Sequence, residues 1–341
     1  ETEKAVQAIM TSGTTRPNQR GRIFRDETGQ RLIFTANRIM TGAYLFPDFE
    51  AGRRCRILLM TPGLDIAPTM GMAIGMDQTR QHFGTEDSMF LVKRSGVDVK
   101  ALVRALRESE ESGTPIALIG ATSAFVYFFN ACRDKKMRFA LPEGSRVCDG
   151  GGYRGRFGVV TRDDYYRLVC DIFGVPEHHC VNTLGLGETA TNYFDDPLRD
   201  HVLGRPAAAR RKVPPPWTRT QVFDIESRQA LPPGKVGLLR HYDLCNLPTV
   251  IGVQSDNLGI AYAGRARLEG ERTSQRSASR RHAEEHLRAA VDLRPDLHQP
   301  HTALGSLRVE EAEEADRHGE DPSALFNQAL ESFQCALAIA P

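Results

Sequence analysis

The sequence predicts an α/β fold followed by a separate helical segment. Three observations predict it: short apolar runs alternate with amphipathic helical patterns, glycine-rich turns follow several of these runs, and the apolar pattern changes after Gly264. The 341 residues, with 40% hydrophobic and 26% charged residues, are typical of about two globular domains with a buried core. A formal net charge of +1 disfavours a nucleic acid or a membrane surface as the partner.

Strands and helices alternate through the first part of the chain. Strands are expected at 56–60, 115–120, 145–148 and 180–184, and helices at 99–111 and 121–132. Thr161 and Asp164 form a capping pattern that predicts a helix up to Phe173. Runs at 222–224, 237–240 and 250–253 predict strands of a more antiparallel region.

The predicted domains are 1–265, a polar linker at 266–281, and a helical segment at 282–341. The helical segment repeats one pattern: Ala283, Leu287, Ala290 and Pro295 recur as Ala329, Phe333, Ala336 and Pro341. This pattern, with Leu304-Gly305 between the copies, resembles tetratricopeptide repeats, and such repeats predict a protein partner. A helical hairpin without repeat kinship is the alternative. Because the chain begins at Glu1 rather than Met, we expect it to be part of a longer protein.

Cysteine usage and hydropathy predict a cytoplasmic protein. The seven cysteines are scattered and form no C-x-x-C pair, as expected for reduced thiols. No apolar run approaches the length of a membrane span, and no secretory signal is present. The basic runs Arg210-Arg211-Lys212 and Arg280-Arg281 are interpreted as solvated faces.

The most informative stretch is Thr11-Ser12-Gly13-Thr14-Thr15, which follows the apolar pair Ile9-Met10. Four hydroxyls and a flexible glycine can surround a triphosphate with N–H and O–H donors. No lysine follows, so the stretch differs from the common Gly-Lys-Ser/Thr phosphate loop. A plain turn is the alternative.

Three further motifs follow at the ends of predicted strands. In Asp149-Gly150-Gly151-Gly152-Tyr153 the glycines allow close approach of a flat ring, on which Tyr153 can stack. The turn containing Gly185 presents the carboxylate of Glu188, a ligand type that Mg²⁺ takes together with phosphate oxygens. Asp256, on 253–259, can accept hydrogen bonds from ribose hydroxyls. For the glycine run the alternative is a tight turn, and for Glu188 it is a solvated glutamate. For Asp256 the alternative is an Asp-Asn turn.

In order and spacing, these motifs resemble the adenylate-forming superfamily. Within it, the chain looks closest to the acyl-protein synthetases of bacterial bioluminescence (the LuxE family) and the related phenylacetate–CoA ligases. The resemblance covers roughly residues 5–266, including 141–147 and 231–244. It implies an adenylate-forming large domain. It also implies phosphate contacts at residues 11–15, adenine contacts at 150–152, a match of 184–188 to the family's Tyr-Gly-x-Thr-Glu motif, and a ribose contact at Asp256.

The resemblance implies ATP and Mg²⁺ as cofactors and a carboxylic acid, with a fatty acid expected, as substrate. Thr11, Ser12 and Glu188 would then act in forming an acyl-adenylate, whose acyl group passes to a thiol of CoA or protein. The chain departs from the family at Arg16, Leu184 and Gly187, and no acceptor cysteine lies between Cys245 and Cys335. The alternative is therefore a catalytically decayed adenylate fold that acts as a scaffold through its helical repeats.

Other candidate sites are weaker. His178-His179-Cys180 is interpreted as a loop, because adjacent side chains of an extended segment point in opposite directions. Ser12 has no His and Asp at a spacing that suggests a hydrolase triad. The aromatic run Phe125–Phe129 is interpreted as helix core, with the wall of an acyl pocket as the alternative.

Overall fold

The computed structural model describes residues 4–11, 21–152, 154–155, 158–224, 227–261, 268–270 and 328. Of residues 154–155, 158–159, 256 and 268–270, only the backbone is described. The predicted linker and the predicted helical repeats lie outside these residues, apart from the isolated positions named, and the predicted domain boundaries therefore stay predictions. No helix in the described part of the chain is both long and apolar enough to cross a membrane.

The helices within the described ranges are α1 Glu27–Tyr44, α2 Gly71–Phe83, α3 Val99–Ser112, α4 Thr122–Asp134, α5 Arg162–Phe173 and α6 Pro197–Val202. The strands are β1 Gln7–Met10, β2 Arg22–Arg25, β3 Arg56–Pro62, β4 Met89–Lys93, β5 Gly96–Val97, β6 Ile116–Ala121, β7 Arg146–Gly150, β8 Arg154–Gly155, β9 Gly158–Val159, β10 Cys180–Leu184, β11 Tyr193–Asp195, β12 Lys212–Val213, β13 Thr218–Phe223, β14 Val236–Asp243, β15 Gly252–Ala261 and β16 Leu268–Gly270. Short 3-10 helices occupy Glu177–His179 and Leu244–Asn246.

The chain divides into two compact units. The first comprises Glu1–Thr220, His241–Val253 and Ala266–Glu269. Its sheet has the strand order β16-β12-β11-β10-β7-β6-β3-β4-β5. The central pairs, from β4 through β3, β6 and β7 to β10, are parallel. The predicted βα alternation is confirmed, with element ends that differ from the expected ones by one or two residues.

Helices pack on the parallel strands through their apolar faces, and α1, α3 and α5 also have a side-chain cap at their start. The Thr161 hydroxyl accepts a hydrogen bond from Asp164 N (3.1 Å), so the predicted cap of α5 is confirmed. On α4, Phe125, Phe128 and Phe129 are fully buried and pack with aromatic rings of α5. The run is therefore core, as predicted, except for Tyr127, which is 37% exposed.

Parallel pairing brings several strand ends to one edge of the sheet. Register pairs Ala121 with Gly150 and Thr183 with Gly150, so the carboxyl ends of β6, β7 and β10 are adjacent. Such an edge is where ligands bind in open α/β sheets. Residues that follow these strands, among them Gly151 and Gly185, therefore lie where a ligand site is expected.

The second unit contains Gln221–Arg240 and Gln254–Arg265. Within it, Leu231 N donates to Val222 O (2.8 Å), and Ser255 Oγ donates to Leu239 O (3.2 Å). Gly234 has a φ of 85°, which glycine adopts without strain, and it closes the predicted turn before β14. The antiparallel region was predicted, but β15 continues to Ala261, well beyond the expected 250–253.

Candidate functional site

The hydroxyl-rich loop is carried by a β-hairpin. β1 and β2 pair from Gln7 with Arg25 to Met10 with Arg22. Thr11 N donates to Gly21 O (3.0 Å), and the Thr11 hydroxyl accepts from Gly21 N (2.9 Å). Thr11 and Gly21, which flank the hydroxyl-rich loop, are therefore held next to each other. Ser12, Gly13, Thr14 and Thr15, and also Arg16, lie outside the described residues.

A turn after β10 lies against this hairpin. Thr189 N donates to Leu186 O (3.2 Å), which places Gly187 and Glu188 at the centre of the turn. A Cβ atom at Gly187 would lie 3.2 Å from Thr11 Cα, closer than an ordinary contact. Glycine at this position thus permits the close approach of the turn to Thr11, which gives a physical reason for its presence where the family motif has threonine. Glu188 is half-buried beside this contact.

Side chains from distant parts of the first unit hold the backbone that follows Glu188. Asn246 Nδ2 donates to Glu188 O (2.8 Å), and the Arg25 guanidinium donates to Thr189 O (3.2 Å). Asn37, on α1, donates to Ala190 O (3.1 Å) and accepts from Asn192 N (3.0 Å). We call Glu188–Asn192 the anchored segment. Its backbone is held by side chains as well as by its own turn, so the Glu188 side chain leaves the chain from a defined backbone position.

Asp243 holds the same segment from the end of β14. Its carboxylate accepts from Ala190 N (3.1 Å), Thr191 N (2.8 Å) and Cys245 N (2.9 Å), and it is 1% exposed. Burial lowers the pKa of Arg25 to about 10, and the charge of Asp243 opposes that shift. Both oxygens of Asp243 are engaged, so this acid has a positioning role.

Glycines line the carboxyl ends of β7 and β10. A Cβ at Gly150 would lie 3.0 Å from Thr183 Cγ2, and Gly151 has a φ of 90°. Gly152 is exposed beside it. A Cβ at Gly185 would overlap the Asn192 side-chain oxygen of the anchored segment. The structure thus gathers Thr11, Gly150–Gly152, Gly185 and Glu188 at one edge of the first unit.

For two of the site residues that the sequence predicts, the structure gives no side-chain position. Tyr153 lies outside the described residues. Asp256 lies on β15 in the second unit, and its side chain is not described. Their contacts with a ligand remain predictions.

A buried polar network underlies this edge, and the sequence analysis missed it. Asp149 Oδ2 accepts from the Thr122 hydroxyl (2.9 Å) and from Asn182 Nδ2 (2.9 Å), and Lys212 Nζ donates to Asn182 O (2.7 Å). Asp149, at 0% exposed, sits directly before Gly150. Its position next to the glycines was the signal that could have identified it.

The interpretation of Arg210-Arg211-Lys212 as a solvated face is wrong. Lys212 is 5% exposed, and the Arg210 side chain is 8% exposed. Arg210 pairs with Asp195 (3.2 Å) and lies over the Tyr166 ring, 4.0 Å from its centroid. The sequence of a short basic run does not indicate whether acidic residues elsewhere in the chain will pair with it. For this reason the sequence alone favoured a solvent-exposed position for Arg210 and Lys212. Arg280 and Arg281 lie outside the described residues.

Burial suppresses the reactivity of the cysteines in the described ranges. It raises the pKa of Cys55, Cys132 and Cys245 to about 11, and also raises the pKa values of Cys148, Cys170 and Cys180. A thiol acts as a nucleophile through its thiolate. In none of these six cysteines does the pKa shift favour the thiolate.

The extended-loop interpretation of His178-His179-Cys180 is also wrong. His178 and His179 lie on a 3-10 helix, where adjacent side chains do not point in opposite directions. Cys180 is buried, and its Sγ lies 3.7 Å from Pro176 O.

Comparisons with known proteins agree with this architecture. A long-chain-fatty-acid–luciferin-component ligase of Aliivibrio fischeri is 24% identical over 174 residues, which are 50% of this chain and 43% of that protein. ATP-bound MatB from Rhodopseudomonas palustris aligns with a TM-score of 0.51 at 14% identity, over 80% of this chain and 49% of MatB. The adenylation domain of a keto acid-selecting NRPS module, bound to keto acyl adenylate, aligns with a TM-score of 0.52 at 14% identity. The alignment covers 83% of this chain and 56% of that domain's chain.

The chain thus spans about half the length of the relatives that it matches. The α/β part of the chain shares its fold with these solved structures. The family described as "Acyl-protein synthetase, LuxE" matches residues 2–285, which include the hairpin, the glycine edge and the anchored segment. The chain therefore belongs to the acyl-protein synthetase (LuxE) family.

Proposed function

We propose that this protein activates a carboxylic acid with ATP, forming an acyl-adenylate and pyrophosphate. One observation carries the proposal: a LuxE-family chain holds the start of its hydroxyl-rich loop against the Glu188 turn at the carboxyl edge of a parallel sheet. The substrate carboxylate oxygen attacks the α-phosphorus of ATP, and the bond to the pyrophosphate oxygen breaks. Positioning and neutralisation of charge supply most of the acceleration in such a step.

The proposed roles follow from the resemblance of these motifs to those of the adenylate-forming superfamily. Thr11, Ser12, Thr14 and Thr15 hold the β- and γ-phosphates, with Gly13 giving the loop its freedom. Gly150–Gly152 and Gly185 allow the adenine to approach the backbone, and Tyr153 stacks on it. Asp256 accepts from the ribose hydroxyls.

The donor set at Glu188 fits Mg²⁺, since this ion takes one or two protein carboxylates and completes its shell with phosphate oxygens and water. The half-buried Glu188 carboxylate would hold the ion, which neutralises phosphate charge when bound. The anchored segment keeps the backbone of Glu188 in place before ATP arrives, and such preorganisation lowers the cost of binding.

A fatty acid is the proposed substrate, because the Aliivibrio fischeri relative is a long-chain-fatty-acid ligase. The acyl group passes to a thiol of CoA or of another protein. The raised pKa of Cys245 supports an acceptor other than this cysteine. We place the reaction in the cytoplasm and assign binding of a protein partner to the proposed tetratricopeptide-like repeats at 282–341.

ATP–pyrophosphate exchange with a panel of carboxylic acids tests the proposal. Exchange that depends on a fatty acid and on Mg²⁺ is the expected result. Nucleotide binding without exchange for any acid would contradict the proposal. It would favour the alternative of a catalytically decayed adenylate fold, which is motivated by the departures from the family motif at Leu184 and Gly187.

A further inference from the structure

Three histidines converge at the edge of the sheet opposite to the candidate nucleotide site. His178 and His179 lie on the 3-10 helix directly before β10, and His201 lies on α6. Their candidate ligand nitrogens all lie within 4.8 Å of one another. The His178 and His201 ring centroids are 3.9 Å apart, and those of His179 and His201 are 5.8 Å apart.

We propose that His178, His179 and His201 bind one divalent transition-metal ion, with Zn²⁺ as the expected ion. Three neutral imidazoles with water in the fourth position are a recognised tetrahedral zinc arrangement. With Zn–N bonds of about 2.0–2.1 Å, ligand nitrogens in such a site lie about 3.4 Å apart. The half-exposed to exposed side chains, His201 above all, can rotate to close the remaining separation. Mg²⁺ prefers oxygen ligands, so this site differs in kind from the one at Glu188.

A hydrogen bond already orients one of the three ligands. His179 Nδ1 lies 3.0 Å from the carbonyl oxygen of Ser145. A carbonyl oxygen only accepts, so Nδ1 carries the proton and Nε2 keeps its lone pair for a metal. Metal-bound histidines commonly have such a second partner, which fixes the tautomer and the ring orientation.

The position of the cluster separates it from the adenylation chemistry. From His179 to Gly185 the chain runs along β10 for six residues, or about 20 Å. An ion there would not touch a nucleotide at the carboxyl edge. It would join α6 to the 3-10 helix and, through Ser145, to the start of β7, and would thereby stabilise this edge.

Titration of Zn²⁺ into the chelator-treated full chain, followed by calorimetry, tests the site. We expect one Zn²⁺ per chain, weakened at least about tenfold by His201→Ala and by His178→Ala. The matched control is His82→Ala, which removes an exposed histidine from α2 and is expected to bind Zn²⁺ like the parent. Zn²⁺ at a hundred times its dissociation constant is expected to raise the Tm of the parent by about 5 °C, and less in the two cluster variants.

Co²⁺ used as a second probe separates this site from cysteine sites. Histidine ligation gives d–d absorption without a thiolate-to-cobalt charge-transfer band. Lack of saturable Zn²⁺ binding, equal affinity in His201→Ala and the parent, or a thiolate band in the Co²⁺ spectrum would each overturn the proposal.

Discussion

Glu188 combines a defined backbone position with a half-buried charge. Its carbonyl is bound by Asn246, and its neighbour Gly187 contacts Thr11, so its side chain starts close to the base of the loop. The side chain itself is the only acidic group that the turn contributes, since Gly185, Leu186 and Gly187 carry no charge. A substitution that removes the charge and keeps the shape therefore isolates its chemical role.

Glu188→Gln is expected to lower the rate of Mg²⁺-dependent adenylation about a hundredfold while the fold is retained. The amide keeps the size of the side chain and loses the charge that a Mg²⁺ ion requires. The measurement is ATP–pyrophosphate exchange, with circular dichroism to check the fold. Glu143→Gln, at an exposed position, is the control. Parent-like exchange in the Glu188→Gln variant would show that the metal is held elsewhere.

Asp256→Ala is expected to raise the KM for ATP more than it lowers kcat. Ribose contacts are similar in the ground and transition states, so their loss acts mainly on binding. Steady-state exchange at varied ATP concentration measures the two constants, and Asp163→Ala, at an exposed position on α5, is the control. An unchanged KM would remove Asp256 from the site. Asp243 would not be the substitute, because backbone N–H groups occupy its carboxylate.

His241 makes stability depend on pH. It is 0% exposed, its Nδ1 lies 3.0 Å from the Thr220 hydroxyl, and burial lowers its pKa from 6.5 to about 4. Because the folded pKa is depressed, the unfolded chain takes up a proton first as the pH falls. Stability is therefore complete above about pH 6.5 and decreases towards pH 4, by up to about 3 kcal/mol from this group.

Urea unfolding of the parent and of His241→Gln between pH 7 and pH 4.5 measures this contribution. The variant is expected to lose less stability over that range, because it has no group that titrates at this position. Identical pH slopes in the two proteins would show that His241 binds a proton equally in the folded and unfolded chains.

At the scale of elements, the anchored segment depends on parts of the chain that are far apart in sequence. Its partners are Arg25 on β2, Asn37 on α1, Asp243 on β14, and Asn246. A buried backbone group that loses its partner costs about 1–3 kcal/mol. The segment is thus stable only when the hairpin, α1 and the end of β14 have all assembled.

Asn37→Ala is expected to lower kcat for adenylation about tenfold and to destabilise the fold by about 1–3 kcal/mol. The change leaves Ala190 O and Asn192 N without their side-chain partner, so Glu188 is held less well. Exchange kinetics and urea unfolding are the measurements. Thr35→Ala, at an exposed position two residues earlier on the same helix, is the control. Parent-like kcat in a destabilised Asn37→Ala variant would mean that the anchor serves the fold alone.

At the scale of the whole molecule, the sequence predicts a separately folding helical segment at 282–341, and the family match reaches residue 285. Few apolar residues precede it in the predicted linker at 266–281. Segments joined by polar linkers commonly fold separately.

Deletion of the predicted helical segment, residues 282–341, is expected to leave a chain that binds ATP with parent-like affinity and unfolds with an unchanged Tm for the α/β part. Calorimetric unfolding and nucleotide titration of both proteins provide the comparison. Loss of all cooperative unfolding on deletion would contradict the predicted independence of the helical segment.

Local patterns were sufficient to predict the βα alternation, the cap of α5 and the aromatic core of α4, because periodicity and capping act within one element. The ligand contacts of the motifs at Thr11, Gly150 and Glu188, which were inferred from residue type and order, stay predictions. Three features could not be predicted: the burial of Arg210 and Lys212, the contact of Gly187 with Thr11, and the grouping of His201 with His178 and His179. Each depends on residues that are distant in sequence, and only strand pairing and packing bring such residues together.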